Sequence, residues 1–272
     1  MTSMNTFFIR FRLLSPMQIG AGSLGMIEKS LLYIPGKIIW GAFTNTLTQM
    51  IAAPPRPEDY LRIGAALDFR RISTFFPDID GRRMMPVIPE QKWICSDGGN
   101  SISFRCMNAA LMTSTSATAI APGWMAAARG TLHASDLISP YRTDSAGNRF
   151  PVCFSGFMEF PDSIDGLPLD PETIRRVFDS ARIGGGRKRG WGRIRVDSLE
   201  RQAASYEGYQ QIALPGGRLL TADMAFSPDL RVSGEIRLVS RREYDPQAGS
   251  GHHFSEPELV WSAGSMIYDS AC

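Results

Sequence analysis

The chain has 272 residues, 43% of them hydrophobic and 21% charged, a composition that belongs to a soluble globular protein of one elaborated domain or two modest ones. Its 29 Lys and Arg nearly balance its 27 Asp and Glu, for a formal net charge of +2. Only local clustering of the basic residues can therefore make a surface for a polyanion.

In chain order, FFIRFRL at 7–13 alternates, with Phe7, Ile9, Phe11 and Leu13 on one face and Phe8, Arg10 and Arg12 on the other. This predicts a half-buried strand whose open face is aromatic and basic. After the turn-rich SPMQIGAGSLG, IEKSLLY reads as a second short strand, and Pro35-Gly36 precedes a helix whose stripe is Ile39, Phe43, Leu47 and Met50. AAPPRPEDY ends that helix. Residues 53–130 are punctuated by proline, with FRRISTFFP and GRRMMPVIP as extended candidates, and are expected to form an insertion or elaboration. GTLHASDLI and PVCFSGFMEF read as strands, the stretch between them carrying a turn at Gly147 and Asn148. A helix then starts with Asp170 as its cap and Pro171 in its first position, with Ile174, Val177, Phe178 and Ala181 as its apolar face. RIRV, turning Ile194 and Val196 inward, and GEIRLVSRREY are later strand candidates. The order of elements predicts an α+β fold of the ferredoxin-like, RNA-recognition-motif-like kind, with helices on one face of an antiparallel sheet. The core is expected over residues 1–200, with 53–130 elaborating it, and 201–272 as a C-terminal extension or partial second domain.

Cys95, Cys106, Cys153 and Cys272 are scattered without CxxC or Cys/His spacing, so neither a disulfide framework nor a metal site is indicated, and no cofactor is expected. The adjacent His252 and His253 stand in a Gly/Ser loop, and His133 in a strand, where a structural role is expected. No apolar run approaches a membrane span, which points to a cytoplasmic protein without membrane partners.

The densest feature is ARIGGGRKRGWGRIRV at 181–196, with five glycines, six basic side chains and no acid between Asp179 and Asp197. A dinucleotide fingerprint needs a strand before its glycines and a helix after them, and a Walker A loop ends in GK[ST]; here a helix precedes, a strand follows and the end is Gly190-Trp191-Gly192. Glycines allow close approach of main chain to a ligand, so Gly184, Gly185 and Gly186 are candidate RNA contacts. Arg187, Lys188, Arg189 and Arg193 add charge, and Trp191 a stacking surface. Phe8, Arg10 and Arg12 on the open sheet face extend the candidate set, as does Lys37 in the first turn of the first helix. A flexible, solvated loop is the bland alternative.

IPGKIIWGAFT at 34–44, followed about 150 residues later by RIGGGRKRGWGRIRV at 182–196, resembles the RAMP superfamily of CRISPR-associated proteins, and ARGTLHASDLISPYR before FSGFMEF is similar to that family's central strand pair. The resemblance spans residues 5–200. It implies a subunit that binds the 5′ handle of a guide (crRNA) in a type III-like effector complex. The implied partners are a backbone RAMP subunit, an effector nuclease and target nucleic acid. Other members are repeated backbone subunits or endoribonucleases that process repeat RNA. Processing members commonly use a histidine near the first helix, whereas His133, His252 and His253 lie far from it in sequence. Target-cleaving members commonly carry an aspartate before the IPG element, where this chain has Glu28. The resemblance therefore favours a non-catalytic, handle-capping role with no catalytic residue.

Overall fold

The computed structural model describes residues 4–97, 99–121, 123, 125–203, 210–240, 242–245, 249–254 and 256–268. Cys272 and positions 246–248 lie outside them. Strand β1 (Met4–Leu13) follows its sequence pattern: Phe7, Ile9, Phe11 and Leu13 are buried, while Phe8, Arg10 and Arg12 are only partly so. Successive side chains of a strand point to opposite faces, so β1 alone defines a dry face and a wetter one.

A hairpin follows, β2 (Gly20–Leu24) and β3 (Ile27–Ser30), and then helices α1 (Gly36–Ile51) and α2 (Pro57–Leu67). Ile39, Phe43 and Leu47 of the anticipated stripe are buried, but Met50, in the last turn of α1, is 38% exposed. Next come β4 (Phe76–Ile79), β5 (Arg82–Val87), β6 (Lys92–Cys95), β7 (Ser101–Ser103), α3 (Phe104–Leu111), β8 (Met112–Ala117), β9 (His133–Ile138) and β10 (Cys153–Pro161). Helix α4 (Pro171–Ser180) starts as its sequence requires. The Asp170 carboxylate accepts the Thr173 amide at 2.7 Å, and Pro171 occupies the first turn, where its missing N–H costs nothing. Strand β11 (Ile194–Arg201) closes this part of the chain.

The main sheet has seven strands in the order β11-β1-β10-β4-β5-β6-β7, every neighbour antiparallel. Of the segment 53–130, Phe76–Ile79 thus sits inside this sheet beside β10, and residues 82–103 extend it outward. Helices α1 and α4 close over the dry face. Phe43 of α1 lies 5.2 Å from Phe160 and 5.0 Å from Phe178 of α4, and Phe178 stacks at 6.3 Å on Phe11. Burying each ring contributes about 1.5–3 kcal/mol, and aromatic pairs add about 0.5–1.5 kcal/mol. Helix α2 is locked to α1 through Gly64: its carbonyl accepts the Trp40 indole N–H at 2.9 Å, and a Cβ there would meet the Trp40 ring at 2.9 Å. Trp40 is thereby a packing residue.

A second sheet, β2-β3-β9-β8, stands beside the first, with β3 and β9 parallel. The C-terminal strands Gln211–Leu214, Gly217–Leu220, Met266–Ile267 and Val232–Ser233 form a further sheet, whose Leu219 and Met266 belong to the main core. Arg237 donates to the Tyr33 hydroxyl at 3.2 Å, and Lys37 to the Ser240 carbonyl, so this region is also tied to the start of α1.

Candidate nucleic-acid interface

The glycine stretch is a folded connector between α4 and β11. Residues 187–189 form one 3-10 turn, closed by the Arg189 amide on the Gly186 carbonyl at 2.8 Å and the Gly190 amide on the Arg187 carbonyl at 3.1 Å. The Gly185 amide donates to Gln18 O and the Gly192 amide to Pro16 O, both at 2.8 Å, while Ile183 N reaches Gly192 O at 2.9 Å. Gly184, Gly186, Gly190 and Gly192 all have positive φ. At three of them a side chain would also collide: a Cβ on Gly184 would lie 2.2 Å from Gln18 O, on Gly192 2.0 Å from Ile183 O, and on Gly186 2.0 Å from the Trp191 ring. Glycine is needed here for close packing and left-handed backbone. The amides of Gly185, Arg189, Gly190 and Gly192 are spent within the protein, and around them the connector carries exposed side chains.

Those side chains are basic. Arg182, Arg187, Lys188, Arg189, Arg193 and Arg195 are exposed. Among the described residues none of the six pairs with a carboxylate, whereas Lys29, Lys92, Arg10, Arg12, Arg62 and some other cations elsewhere do. Arg189 lies over the half-buried Trp191 ring at 5.2 Å, which leaves a cation and an aromatic surface side by side.

The open face of the main sheet continues from this cluster. The register sets Arg195, Arg12, Cys153, Asp78 and Arg83 in one row across five strands, and cross-strand partners share a face. Arg10 bonds Asp78 at 3.0 Å and lies 3.7 Å from Asp197, whose other oxygen is 3.4 Å from Arg12. Burial opposes the charge of Arg10, yet the fields of Asp78, Cys153 and Asp197 outweigh it and hold its pKa above the ordinary value. Burial also pushes the Cys153 thiol up to about 11, which leaves it an inert neutral group. Arg83 is 9% exposed and sits 5.0 Å over the Phe157 ring, and Phe157 is itself 5.2 Å from Phe8. Burial draws the Arg83 pKa down to about 10. Four guanidinium groups thus share this face with two carboxylates. Phe8, Arg10 and Arg12 lie where the alternation placed them, but Arg10 and Arg12 are already engaged with Asp78 and Asp197.

Lys37 is held elsewhere, on the Ser240 carbonyl and within the field of Asp223. Its place in the first turn of α1 serves the C-terminal region. His252 and His253 fall in the strand Gly249–Phe254, and their side chains are outside the described residues. His133 and Glu28, 105 positions apart, converge. Glu28 Oε2 accepts from Gln18 Nε2 and from Ser135 Oγ, both at 2.9 Å, because β3 and β9 pair Glu28 with Ser135. These two bonds hold the Glu28 carboxyl below its usual pKa, helped by the charges of His133 and Arg189. Composition and motif spacing carry no sign of this convergence, since it depends on a parallel pairing between distant strands.

In comparison with solved structures, the chain is similar to one in the cryo-EM structure of the Type III-B Cmr-beta bound to cognate target RNA and AMPPnP. The TM-score is 0.54 at 10% identity, over 96% of this chain and 86% of that one. A chain of the Type III-B Cmr-beta bound to cognate target RNA matches to the same extent. At this identity the likeness concerns the fold. No family model matches the chain, and no curated protein does.

Proposed function

We propose that this protein is a non-catalytic guide-RNA-binding subunit of a multisubunit CRISPR effector complex, gripping the 5′ handle of the RNA and anchoring a backbone subunit. The observation that carries the reading is the unpaired basic cluster of Arg187, Lys188 and Arg189 with Arg193 and Arg195, set around Trp191 on a connector pinned to Pro16 and Gln18. Unneutralised cations beside an aromatic ring suit phosphates and stacked bases of a single strand. The RAMP-like motifs at 34–44 and 182–196, and a fold shared with chains of an RNA-bound type III-B assembly, support the same assignment. A ferredoxin-like core is part of the proposal. β1, α1, β4, β10, α4 and β11 run strand-helix-strand-strand-helix-strand, and their strands lie side by side as β11-β1-β10-β4.

Replacing Arg187, Lys188 and Arg189 together with alanine should remove co-purifying RNA, seen as a fall in the 260/280 nm absorbance ratio, and leave the far-UV circular dichroism unchanged. Each of the three cations that no longer neutralises a phosphate takes about 0.7 from the slope of log affinity against log salt, so the slope should shrink by about 2. RNA content equal to that of the parent protein would refute the reading.

One observation favours a second reading, an endoribonuclease acting on repeat RNA. The His133 Nδ1 lies 3.1 Å from the Thr131 carbonyl, which can only accept, so the neutral ring keeps its Nε2 lone pair for use as a general base near Glu28. Under this reading His133→Ala would abolish site-specific cleavage of repeat RNA; under the first there is no such cleavage to abolish.

A further inference from the structure

A carboxylate beside a surface built for phosphates needs a reason, because it repels the ligand's backbone. Glu28 is such a group. It is exposed, and it is linked to the glycine connector through one residue: Gln18 donates its side-chain amide to Glu28 Oε2 at 2.9 Å and accepts the Gly185 amide on its backbone carbonyl at 2.8 Å. Gly184 and Gly185 leave no room for the connector to shift toward Gln18, since a Cβ on either would lie 2.2 Å from Gln18 O or 2.9 Å from Gln18 Oε1. Ser135, only 1% exposed, supplies the second donor at 2.9 Å to the same Oε2 atom. Both internal donors thus converge on one oxygen, and among the described residues Oε1 receives none. Arg189 makes no ion pair with Glu28 although its charge is felt there, its guanidinium lying over Trp191 instead. The carboxylate is oriented by the fold and its free oxygen is offered outward beside the cations.

A fixed acceptor among phosphate-binding cations can be used only by a hydrogen-bond donor of the ligand. Phosphates have none to offer; a ribose 2′-hydroxyl does, and it is present in RNA at every nucleotide irrespective of base. We propose that Glu28 Oε1 accepts a ribose 2′-hydroxyl of the strand held by Arg187, Lys188 and Arg189, and so makes the surface selective for RNA over DNA. This inference rests on the reading of that cluster as an RNA grip. Glu28 acts on binding through the free oxygen, with Gln18 and Ser135 as the residues that position it.

The test measures the affinity of the full chain for a short single-stranded RNA of mixed sequence, for DNA of the same sequence and for the fully 2′-O-methylated RNA, which keeps an oxygen but has no donor. The parent protein should prefer the RNA to both others by about tenfold or more, the value of one hydrogen bond to a charged group. Glu28→Ala should bring the three affinities together. Loss of a negative charge near cations by itself strengthens binding of RNA and DNA equally, so the ratio, and not either affinity, carries the result. Glu28→Gln, which keeps the shape of the side chain, should lower the ratio while leaving thermal stability unchanged, separating recognition from folding. A ratio that Glu28→Ala leaves at the parent value overturns the inference about Glu28 and leaves the RNA grip standing. Absence of RNA binding by the parent chain, or binding that survives the Arg187/Lys188/Arg189 alanine variant, overturns the grip and the inference with it.

Discussion

Gly186 and Gly190 have nearly the same backbone, with φ of 65° and 86°, but different surroundings. A Cβ on Gly186 would lie 2.0 Å from the Trp191 ring, whereas one on Gly190 would meet nothing within 4 Å. Gly190→Ala should therefore cost only the left-handed strain, about 1–2 kcal/mol. Gly186→Ala should cost more and displace Trp191. Chemical denaturation of the two variants, with tryptophan emission recorded alongside, measures the difference, and equal losses would show that Trp191 packing is not what Gly186 protects. The glycines and the basic residues were both legible in the sequence, but their division of labour was not. Of the glycines read as contacts, Gly185 has its amide bonded to Gln18, and the amides of Arg189, Gly190 and Gly192 are likewise bonded within the protein, because a packed connector this short has to satisfy backbone groups of its own. Arg10 and Arg12 show the converse: alternation correctly put them on the open face, but their carboxylate partners, Asp78 and Asp197, come from strands far away in sequence.

At the scale of elements, capping chemistry and periodicity carried well. The Asp170–Pro171 start of α4, the β1 alternation and the α1 stripe up to Leu47 appear with their expected residues, because each depends on neighbours within one or two turns. The stripe has a measurable consequence. Phe43 is 1% exposed and touches Phe160 of β10 and Phe178 of α4, so it joins the sheet to both helices. Phe43→Ala should destabilise the chain by about 3–5 kcal/mol in urea or guanidinium unfolding, the range for a truncated buried aromatic. A loss below about 1 kcal/mol would mean that α1 does not need the sheet to stay in place. The segment 53–130 was the least legible. Proline and short apolar runs suggested an elaboration, yet β4 within it lies next to β10, with Phe76, Pro77 and Asp78 all buried. A strand covered on both faces loses the alternation by which a half-buried strand announces itself.

For the whole molecule, the C-terminal strands share the core of the main sheet through Leu219, Ala263 and Met266, and α1 is fastened to them by Lys37. Among the described residues no helix is long and apolar enough to cross a membrane. The nearly neutral chain pairs cations with carboxylates at several places on its surface, and among the described residues the six cations at the connector between α4 and β11 join none of these pairs. The sequence by itself determined the α+β class, the starts of α1 and α4, the dry face of β1 and the existence of a glycine-and-arginine connector between a helix and a strand, since all of these follow from local spacing and backbone preference. Tertiary structure alone decided which cations stay unpaired, that Lys37 serves the C-terminal region, and that Glu28, Ser135 and His133 meet beside the connector. Those outcomes depend on strand register between segments far apart in the chain, and a hydrogen bond or ion pair across such a distance leaves no period or motif for a local reading to find.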